Sequence, residues 1–292
     1  MSDLGWLSEP VPLVFLCAVF GLLVGSFLNV VILRLPARLH HDWRNQARDV
    51  LELTADTDVI ETAPPDLVFT GSHCPSCKHK LSVLDNIPLL SWLALRGRCR
   101  YCKASISAQY PLVEALTLIA SAVLAWKFGF TGQLLFGLLL TWTLIAAAGI
   151  DARTQLLPDQ LTVPLMWLGL LISLFPIFVD STTAIIGAAI GYLSLWSVFW
   201  MFKLITGKEG MGYGDFKLLA ALGAWMGAMS LLPIILMSSL FGAIIGSILL
   251  KMQSQDRSTP IPFGPFIAIA GWVWFVFGEG LATWYRGFFP AI

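Results

Sequence analysis

Long apolar runs, separated by short polar segments, dominate the pattern of residues along this chain. A helix needs about 20 apolar residues to cross roughly 30 Å of hydrocarbon, and six of the runs are close to that length. These runs cover residues 13–33, 111–128, 134–150, 161–179, 184–202 and 265–284. Each of them predicts one transmembrane helix.

A further apolar stretch, residues 218–250, is too long for one span and slightly short for two. Gly227, Ser230 and Pro233 lie near its middle, and residues of these types favour a tight turn. We therefore interpret this stretch as two helices. The chain is predicted to be an all-α polytopic membrane protein with about eight transmembrane helices.

The composition supports this fold class. Apolar residues make up 57% of the chain, charged residues make up 12%, and the mean hydropathy is +0.77, values outside those of ordinary soluble domains. The first apolar run lacks a basic leading segment and a small-residue cleavage site, so we expect it to remain as a helix. The net charge of +0 gives no indication of a nucleic-acid partner, and the expected surroundings are a lipid bilayer.

The distribution of basic residues predicts the orientation, because Lys and Arg concentrate in short cytoplasmic loops and near the cytoplasmic ends of spans. With eight spans and an external N-terminus, only Lys127 and Arg286 among the basic residues near span ends fall outside. Those that fall inside are Arg34, Arg38, Arg44, Arg48, Arg96, Arg98, Arg100, Lys103, Arg153, Lys203, Lys208, Lys217, Lys251 and Arg257. A seven-span arrangement would move Lys251 and Arg257 outside, so the distribution favours eight.

One soluble region, residues 34–110, interrupts the membrane pattern and is cytoplasmic in this topology. Its first half is acidic, with no Lys or Arg between Val50 and His73, and its second half is basic. The acidic residues are Asp49, Glu52, Asp56, Asp58, Glu61 and Asp66. The predicted division is a first helix over residues 1–33, a cytoplasmic subdomain over 34–110, and a membrane domain with seven further helices over 111–292.

Two cysteine pairs lie in the basic half of this loop. "CPSC" contains Cys74 and Cys77, "CRYC" contains Cys99 and Cys102, and 21 residues separate the pairs, which is close to the spacing of four-thiolate zinc sites. A reducing cytoplasm disfavours disulfides, and four thiolates can fold a small segment that has little core of its own. The pattern predicts zinc, with unligated thiols as the alternative. We expect His73 and His79 to be surface residues, since four cysteines complete a tetrahedron.

Two aspartates lie at one membrane boundary in the predicted topology. Asp151 ends the third span in "GIDARTQLLPD", and Asp215 begins the sixth in "GYGDFK". Each alone is explained by a position at a helix end, where Asp215 would suit the helix dipole. Glu279 lies toward the outer end of the last span, where a structural role and a functional role are both consistent with its position.

Together, the two aspartates suggest peptide hydrolysis. One carboxylate can take a proton from water while a second, protonated carboxyl polarises the carbonyl, and two like charges at close range divide into such a pair. Gly212 and Gly214 would let an extended substrate approach Asp215 and would allow backbone angles closed to other residues. A single G-x-G-D motif is weak evidence, because glycines are common in turns.

The chain resembles the bacterial type IV prepilin leader peptidases, which are membrane aspartic peptidases with a G-x-G-D motif. The resemblance covers nearly the whole length. It includes the paired cysteine motifs together with "GSFLNVVILRLP" (25–36), "QYPLVE" (109–114), "IDARTQLLPD" (150–159), "GMGYGDFKLLAALGAW" (210–225) and "PFGPF" (262–266).

The resemblance implies an enzyme of the bacterial inner membrane. Members of this family remove the short basic leader from type IV prepilins and type II secretion pseudopilins at the cytoplasmic face. Carried over by motif, the catalytic pair is Asp151 and Asp215, and Asp159 is expected to cap the fourth span.

Many members also methylate the new N-terminal amine with S-adenosylmethionine, and the cysteine-bearing loop is associated with that step. The chain has no strand followed by a glycine-rich turn that would mark the common methyltransferase fold, so this second activity rests on resemblance. Gly97 and Arg98 are candidate cofactor contacts, with a structural role in the knuckle turn as the alternative.

Three further hypotheses remain open. The acidic stretch over residues 49–66 could steer basic leaders electrostatically, or it could be a solvated insert. An ion-coupled transporter would use paired acids near the bilayer midplane and an internal repeat, and neither is evident in the sequence. A zinc-stabilised membrane scaffold would leave both aspartates freely replaceable.

Overall fold

The computed structural model describes residues 9–51, 63–253 and 262–288, and of residues 249–253 and 284–288 only the helical backbone. The described part of the chain is helical and has no extended strand, which confirms the predicted class. Isolated β-bridges join His73 to Lys80 and Arg98 to Ser105. The helices are α1 (Pro10–Val50), α2 (Leu90–Ala94), α3 (Gln109–Phe128), α4 (Gly132–Thr154), α5 (Asp159–Ile172), α6 (Ser181–Thr206), α7 (Tyr213–Met226), α8 (Leu231–Gln253) and α9 (Gly264–Phe288).

Within the described residues, six helical segments are long and apolar enough to cross a membrane. They correspond to α1, α3, α4, α6, α8 with the turn before it, and α9. The remaining two predicted spans are the 14-residue helices α5 and α7, each about 21 Å long at 1.5 Å per residue. That length falls short of the roughly 30 Å hydrocarbon core, so the count of eight stays a prediction.

Helix α5 ends earlier than the apolar run predicts. The run continues to residue 179, but the helix stops at Ile172. Pro176 follows four residues later and disfavours a helical conformation at the residue before it, and the Ser173 hydroxyl donates to the Leu170 carbonyl at 2.7 Å. The apolar run therefore contains a helix and an irregular turn.

The predicted break within residues 218–250 is confirmed. Helix α7 ends at Met226, and Gly227 has φ 77 and ψ 171, a conformation that favours glycine. A 3-10 turn over Ala228–Ser230 follows, and α8 begins at Leu231. Pro233 lies in the first turn of α8, where a missing backbone N–H costs no helical hydrogen bond.

The chain forms two compact units, Met1–Trp126 and Lys127–Ile292. In the first, α1 is 41 residues long, so it extends beyond the predicted span of 13–33 and passes through Pro36. A Cβ atom at Gly25 would lie 2.8 Å from the Cα atom of Glu114, which shows that α1 and α3 pack in backbone contact. The three-part division predicted above stays a prediction.

In the second unit, α7 is buried on nearly all sides by α5, α6 and α9. Close approach to α6 depends on small residues: a Cβ atom at Gly191 would lie 2.9 Å from the Cα atom of Ala220. On the other side, the Trp225 indole donates to the Leu165 carbonyl of α5 at 2.9 Å. These contacts fix the position of α7, and its first turn carries Asp215.

Candidate active site and metal centre

Asp215 lies in the first turn of α7 with only 6% of its surface exposed. The helix is capped by Gly212, whose carbonyl accepts a hydrogen bond of 3.2 Å from the Asp215 amide. A carboxylate in the first turn of a helix suits the helix dipole. An ordinary capping acid lies at the surface, whereas this one is buried.

Asp151 lies in the last turn of α4 and is 5% exposed. Its Oδ2 atom accepts a hydrogen bond of 2.9 Å from the backbone N–H of Gly264, the first residue of α9. A Cβ atom at position 264 would lie 2.6 Å from that same oxygen, so the contact requires glycine. The carboxylate therefore accepts a hydrogen bond from one of the free backbone N–H groups at the start of α9, which follows 113 residues later.

Leu157 connects the surroundings of the two aspartates. It lies in the loop after α4 and is 8% exposed. A Cβ atom at Gly214 would lie 2.5 Å from the Leu157 Cβ atom, and one at Gly264 would lie 2.9 Å from its Cδ1 atom. The Leu157 side chain thus contacts both Gly214, which precedes Asp215, and Gly264, which donates a hydrogen bond to Asp151. The two carboxylates are near enough for their charges to interact.

This arrangement can perform general acid and base chemistry. Two buried carboxyl groups at close range favour the state in which one carries a proton and the other does not. Such a pair titrates as a unit. The helix-end positions account for the backbone hydrogen bonds, but neither requires a second carboxylate nearby.

The two glycines of the G-x-G-D motif differ in their surroundings. Gly214 packs directly on Leu157, whereas a Cβ atom at Gly212 would meet only the Asp215 Oδ2 atom, at 3.8 Å. The expectation that both adopt backbone angles closed to other residues is wrong, because Gly212 has φ −83 and neither has a positive φ. Tight packing, and not conformational freedom, explains Gly214. The predicted substrate contact at both positions stays a prediction.

Asp159 has a different role from the predicted helix cap. Pro158 caps α5, and the Asp159 carboxylate accepts two hydrogen bonds from the Lys217 ammonium at 2.6 and 2.7 Å. Asp159 follows the loop that begins after Asp151, and Lys217 lies two residues after Asp215. The ion pair therefore ties together the two segments that carry the buried aspartates.

Sequence reasoning missed the parts played by Gly264, Leu157 and Lys217. The "PFGPF" motif was a signal for Gly264, because a glycine followed by proline marks a helix start, but nothing in the sequence connects it with Asp151. Leu157 and Lys217 carry no distinctive local signal.

The structure brings the predicted metal ligands together. The Sγ atoms of Cys74, Cys77, Cys99 and Cys102 all lie within 4.8 Å of one another, and those of Cys74 and Cys102 are 3.8 Å apart. In a tetrahedral site with Zn–S distances of about 2.3 Å, the sulfurs stand about 3.8 Å from one another. The donor set and its spacing fit a metal ion such as zinc.

Both cysteine pairs lie on the same type of turn. The Cys74 amide bonds to the His79 carbonyl at 2.9 Å, and the Cys99 amide bonds to the Ala104 carbonyl at 2.8 Å. Lys78 and Lys103, directly after the second cysteine of each pair, have φ 58 and φ 59. This repetition makes two equivalent knuckles.

The histidines beside the first knuckle are not among the clustered ligands. The His79 ring packs on Tyr101 of the second knuckle with a centroid distance of 3.7 Å, and His73 forms a β-bridge with Lys80. His79 therefore contributes a contact between the knuckles, beyond the surface position that was predicted.

Gly97 and Arg98 precede the second knuckle. Gly97 has φ 66, and a Cβ atom there would lie 3.0 Å from the Trp92 ring, so the glycine shapes the turn. Arg98 is exposed and lines a cavity beside Cys99. The turn explains Gly97, while the side chain of Arg98 remains available to a ligand.

Of the predicted acidic stretch, residues 52–62 lie outside the described residues, and with them Glu52, Asp56, Asp58 and Glu61. Asp49 is exposed at the end of α1. The Asp66 carboxylate accepts hydrogen bonds from the amides of Val68, Phe69 and Thr70 and from the Thr70 hydroxyl, which keep its pKa below the ordinary value. Asp66 therefore stabilises the turn over residues 66–70 through these hydrogen bonds.

Comparison with known proteins agrees with this arrangement. Residues 19–128 match the family model described as Bacterial Peptidase A24 N-terminal domain, and residues 138–247 match the model described as Type IV leader peptidase family. The first match contains the four clustered cysteines, and the second contains Asp151 and Asp215.

Several relatives are similar over nearly their full length. Proteins named prepilin leader peptidase/N-methyltransferase are 54% identical in Stutzerimonas stutzeri and 52% identical in Pseudomonas aeruginosa, each over 96% of both chains. A protein of the same name in Xanthomonas campestris is 56% identical over 92% of both chains. No solved structure matches the chain.

Proposed function

The chain belongs to the type IV leader peptidase family, and we propose that it removes the basic leader of prepilins or pseudopilins and then methylates the new N-terminus. The observation that carries the peptidase part is the pair of buried, interacting carboxylates of Asp151 and Asp215. The names of its relatives support both activities.

In the proposed mechanism, a water molecule between Asp151 and Asp215 attacks the scissile carbonyl. The ionised carboxylate takes a proton from the water, and the protonated partner donates a hydrogen bond to the carbonyl oxygen. The tetrahedral intermediate then collapses with cleavage of the C–N bond, and the carboxyl group that took the proton from water gives it to the leaving amine. No covalent enzyme intermediate forms. The Gly264 amide holds the Asp151 carboxylate in place, so Asp151 enters the reaction with a fixed orientation. Gly212 and Gly214 are the proposed positions at which the substrate backbone approaches.

We assign zinc to the cluster of Cys74, Cys77, Cys99 and Cys102, on the donor set and spacing described above. Four thiolates leave no open coordination position, so the ion would have a structural role. Holding the two knuckles together, it would stabilise a loop region whose described residues form only short helical segments.

S-adenosylmethionine is the proposed methyl donor, and its chemistry is the transfer of a methyl group to an amine. Gly97 and Arg98 are the proposed contacts. The Arg98 guanidinium is suited to the donor's carboxylate. The neighbouring cavity residues Arg96 and Lys103 are also cationic, so the cavity suits the donor's carboxylate but not its positively charged sulfonium and ammonium groups.

We further propose an inner-membrane location with the N-terminus outside and the cysteine-bearing loop in the cytoplasm. The six apolar segments support a multi-pass protein, and the distribution of Lys and Arg supports this orientation. The leaders of the substrates would then reach the aspartates from the cytoplasmic face.

Cleavage of a purified prepilin in detergent tests the proposal, with wild type compared with Asp151→Asn and Asp215→Asn. Asparagine retains the shape of aspartate but cannot act as an acid or base. We expect each variant to fold with an unchanged melting temperature and to lose cleavage by more than about a thousandfold. Labelled S-adenosylmethionine in the same reaction reports methylation. If both variants cut at the wild-type rate, the aspartates are helix-end residues and the mechanism is wrong.

A further inference from the structure

A cavity of about 360 Å³ opens beside the second cysteine knuckle. Among the residues that the structure describes, its lining consists of Leu95, Arg96, Arg98, Cys99 and Lys103, of which three are cationic and none is acidic. Ligand sites in proteins have volumes from about 300 Å³ upward. The size therefore admits a small ligand, and the charge of the lining favours an anion.

The three cations are available for binding. Among the described residues, the side chains of Arg96, Arg98 and Lys103 have no hydrogen-bonding or ion-pair partner. Arg100, two residues after Arg98, provides the contrast, because its guanidinium contacts the Asp85 carboxylate at 2.5 Å. The Ser82 hydroxyl and Arg100 together lower the pKa of Asp85, so that pair stays charged and occupied.

The backbone at two of the cations, Arg96 and Lys103, has a left-handed conformation. Lys103 has φ 59, and its amide bonds to the Cys99 carbonyl at 3.1 Å, as the knuckle turn requires. Arg96 has φ 52, which is uncommon for a residue with a side chain. The residue at the equivalent position of the first knuckle is Gly71, whose φ is not positive. The angle at Arg96 is therefore not a property of the knuckle turn and distinguishes the second knuckle.

Neutralisation of the zinc–thiolate cluster is an alternative explanation for these cations, but it does not explain why they line one cavity. A zinc ion with four thiolates carries a net charge of about −2, which nearby cations would stabilise. Lys78 occupies the position equivalent to Lys103 in the first knuckle but does not line the cavity. A cation such as Lys78 can therefore lie next to a cysteine pair without lining this cavity.

We propose that this cavity binds a phosphate group, supplied by an anionic phospholipid headgroup or by a soluble phosphate. Arginine matches phosphate oxygens with paired hydrogen bonds, and lysine adds a point charge. S-adenosylmethionine suits the cavity as a whole less well, because its sulfonium and ammonium groups give it a net positive charge. This proposal is independent of the peptidase mechanism. Arg98 is also the proposed contact for the carboxylate of S-adenosylmethionine, so phosphate and that carboxylate would compete for the same guanidinium.

The test uses the full-length, zinc-loaded protein in a maltoside detergent that contains no phosphate. Calorimetric titration with inorganic phosphate tests the soluble source. Native mass spectrometry, after incubation with phosphatidylglycerol or phosphatidylcholine, tests the headgroup. The variants are the triple substitution Arg96→Gln, Arg98→Gln and Lys103→Gln, the charge-retaining Lys103→Arg, and the matched control Lys78→Gln. Zinc content verifies that each variant keeps its knuckles.

We expect wild type to bind phosphate, or to retain phosphatidylglycerol in preference to phosphatidylcholine. The triple variant should bind at least about tenfold more weakly, because each hydrogen bond to a charged group is worth about a factor of ten or more. Lys103→Arg and Lys78→Gln should remain within about threefold of wild type.

Three results would overturn the proposal. The first is that wild type binds neither phosphate nor phosphatidylglycerol. The second is that the triple variant binds as well as wild type, or that Lys78→Gln weakens binding equally, which would indicate nonspecific attraction. The third is that S-adenosylmethionine alone binds and is lost in the triple variant, which would assign the cavity to the methyl donor.

Discussion

The aspartate site takes its shape from the packing of helices, whereas the cysteine cluster takes its shape from two short loops. Asp151 and Asp215 come from α4 and α7, and Gly264 and Leu157 hold their surroundings together. The four cysteines instead lie on two equivalent turns with internal backbone hydrogen bonds.

This difference predicts different weaknesses. In a close-packed helical core, one added carbon atom displaces its neighbours, and a displacement of about 1 Å can lower a catalytic rate a hundredfold. A small loop region around four thiolates depends on its metal instead. The aspartate site should therefore be sensitive to changes in volume, and the cysteine cluster should be sensitive to removal of the ion.

Gly264→Ala should produce the largest effect of any substitution that leaves the aspartates intact. The new methyl group would stand 2.6 Å from the Asp151 Oδ2 atom and would push the carboxylate away from the backbone amide. We expect prepilin cleavage to fall by about a hundredfold or more. Gly280→Ala is the matched control, because no described residue lies within 4 Å of a Cβ atom at that position of α9. Equal rates for the two variants would show that the Gly264 contact does not position Asp151.

The two motif glycines should respond differently to the same change. Gly214→Ala would place a methyl group 2.5 Å from the Leu157 Cβ atom, and overpacking of this kind costs about tenfold or more in cleavage, with a lower melting temperature. Gly212→Ala meets only an ordinary contact at 3.8 Å among the described residues, so the melting temperature should fall only by the small cost of alanine in place of glycine at a helix N-cap.

The proposed substrate contact predicts a separate result for Gly212→Ala. The added methyl group should raise KM for prepilin several-fold while kcat stays near the wild-type value. Steady-state kinetics over a range of prepilin concentrations measures both. An unchanged KM would remove Gly212 from the substrate site and leave it as the cap of α7.

Removal of the metal should separate the two activities. Cys99→Ser, or treatment with a zinc chelator, should lower methyl transfer by about tenfold or more, because the knuckles lose the ion that holds them. Cleavage should stay within about threefold of wild type, since the aspartates depend on helix packing. Cys17→Ser provides the control for loss of a thiol, as Cys17 is a buried residue of α1 outside the cluster. A parallel loss of both activities would show that the aspartate site also depends on the metal.

Local features of the sequence predict the chemistry of both sites but not their construction. The cysteine spacing identifies all four clustered ligands, because the knuckle turns are local. The two aspartates were predicted from helix ends and motifs. Their partner Gly264 lies 113 residues from Asp151, and no pattern within one helix records a contact over that separation.

Helix lengths show the same limit. The apolar residues of α7 predict a span, but the helix is 14 residues long and is buried by its neighbours. An apolar segment that is buried by protein and one that is buried by lipid have the same pattern, so hydropathy alone does not distinguish them. Helix α1 extends beyond its apolar run to Val50, because polar residues can continue a helix that apolar residues begin.

The smallest expected effect concerns the ion pair between Asp159 and Lys217, which joins the segments of the two aspartates from outside the core. Its exposure limits its contribution, so Asp159→Asn or Lys217→Gln should lower cleavage by less than about fivefold. The charge-reversed double variant Asp159→Lys and Lys217→Asp should recover part of that loss. Lys203→Gln, which breaks the ion pair with Glu209 at 2.7 Å, is the control for a surface ion pair elsewhere in the same unit. If the reversed pair were no better than the single variants, the ion pair would have no part in aligning the two segments, and helix packing alone would hold the aspartates in place.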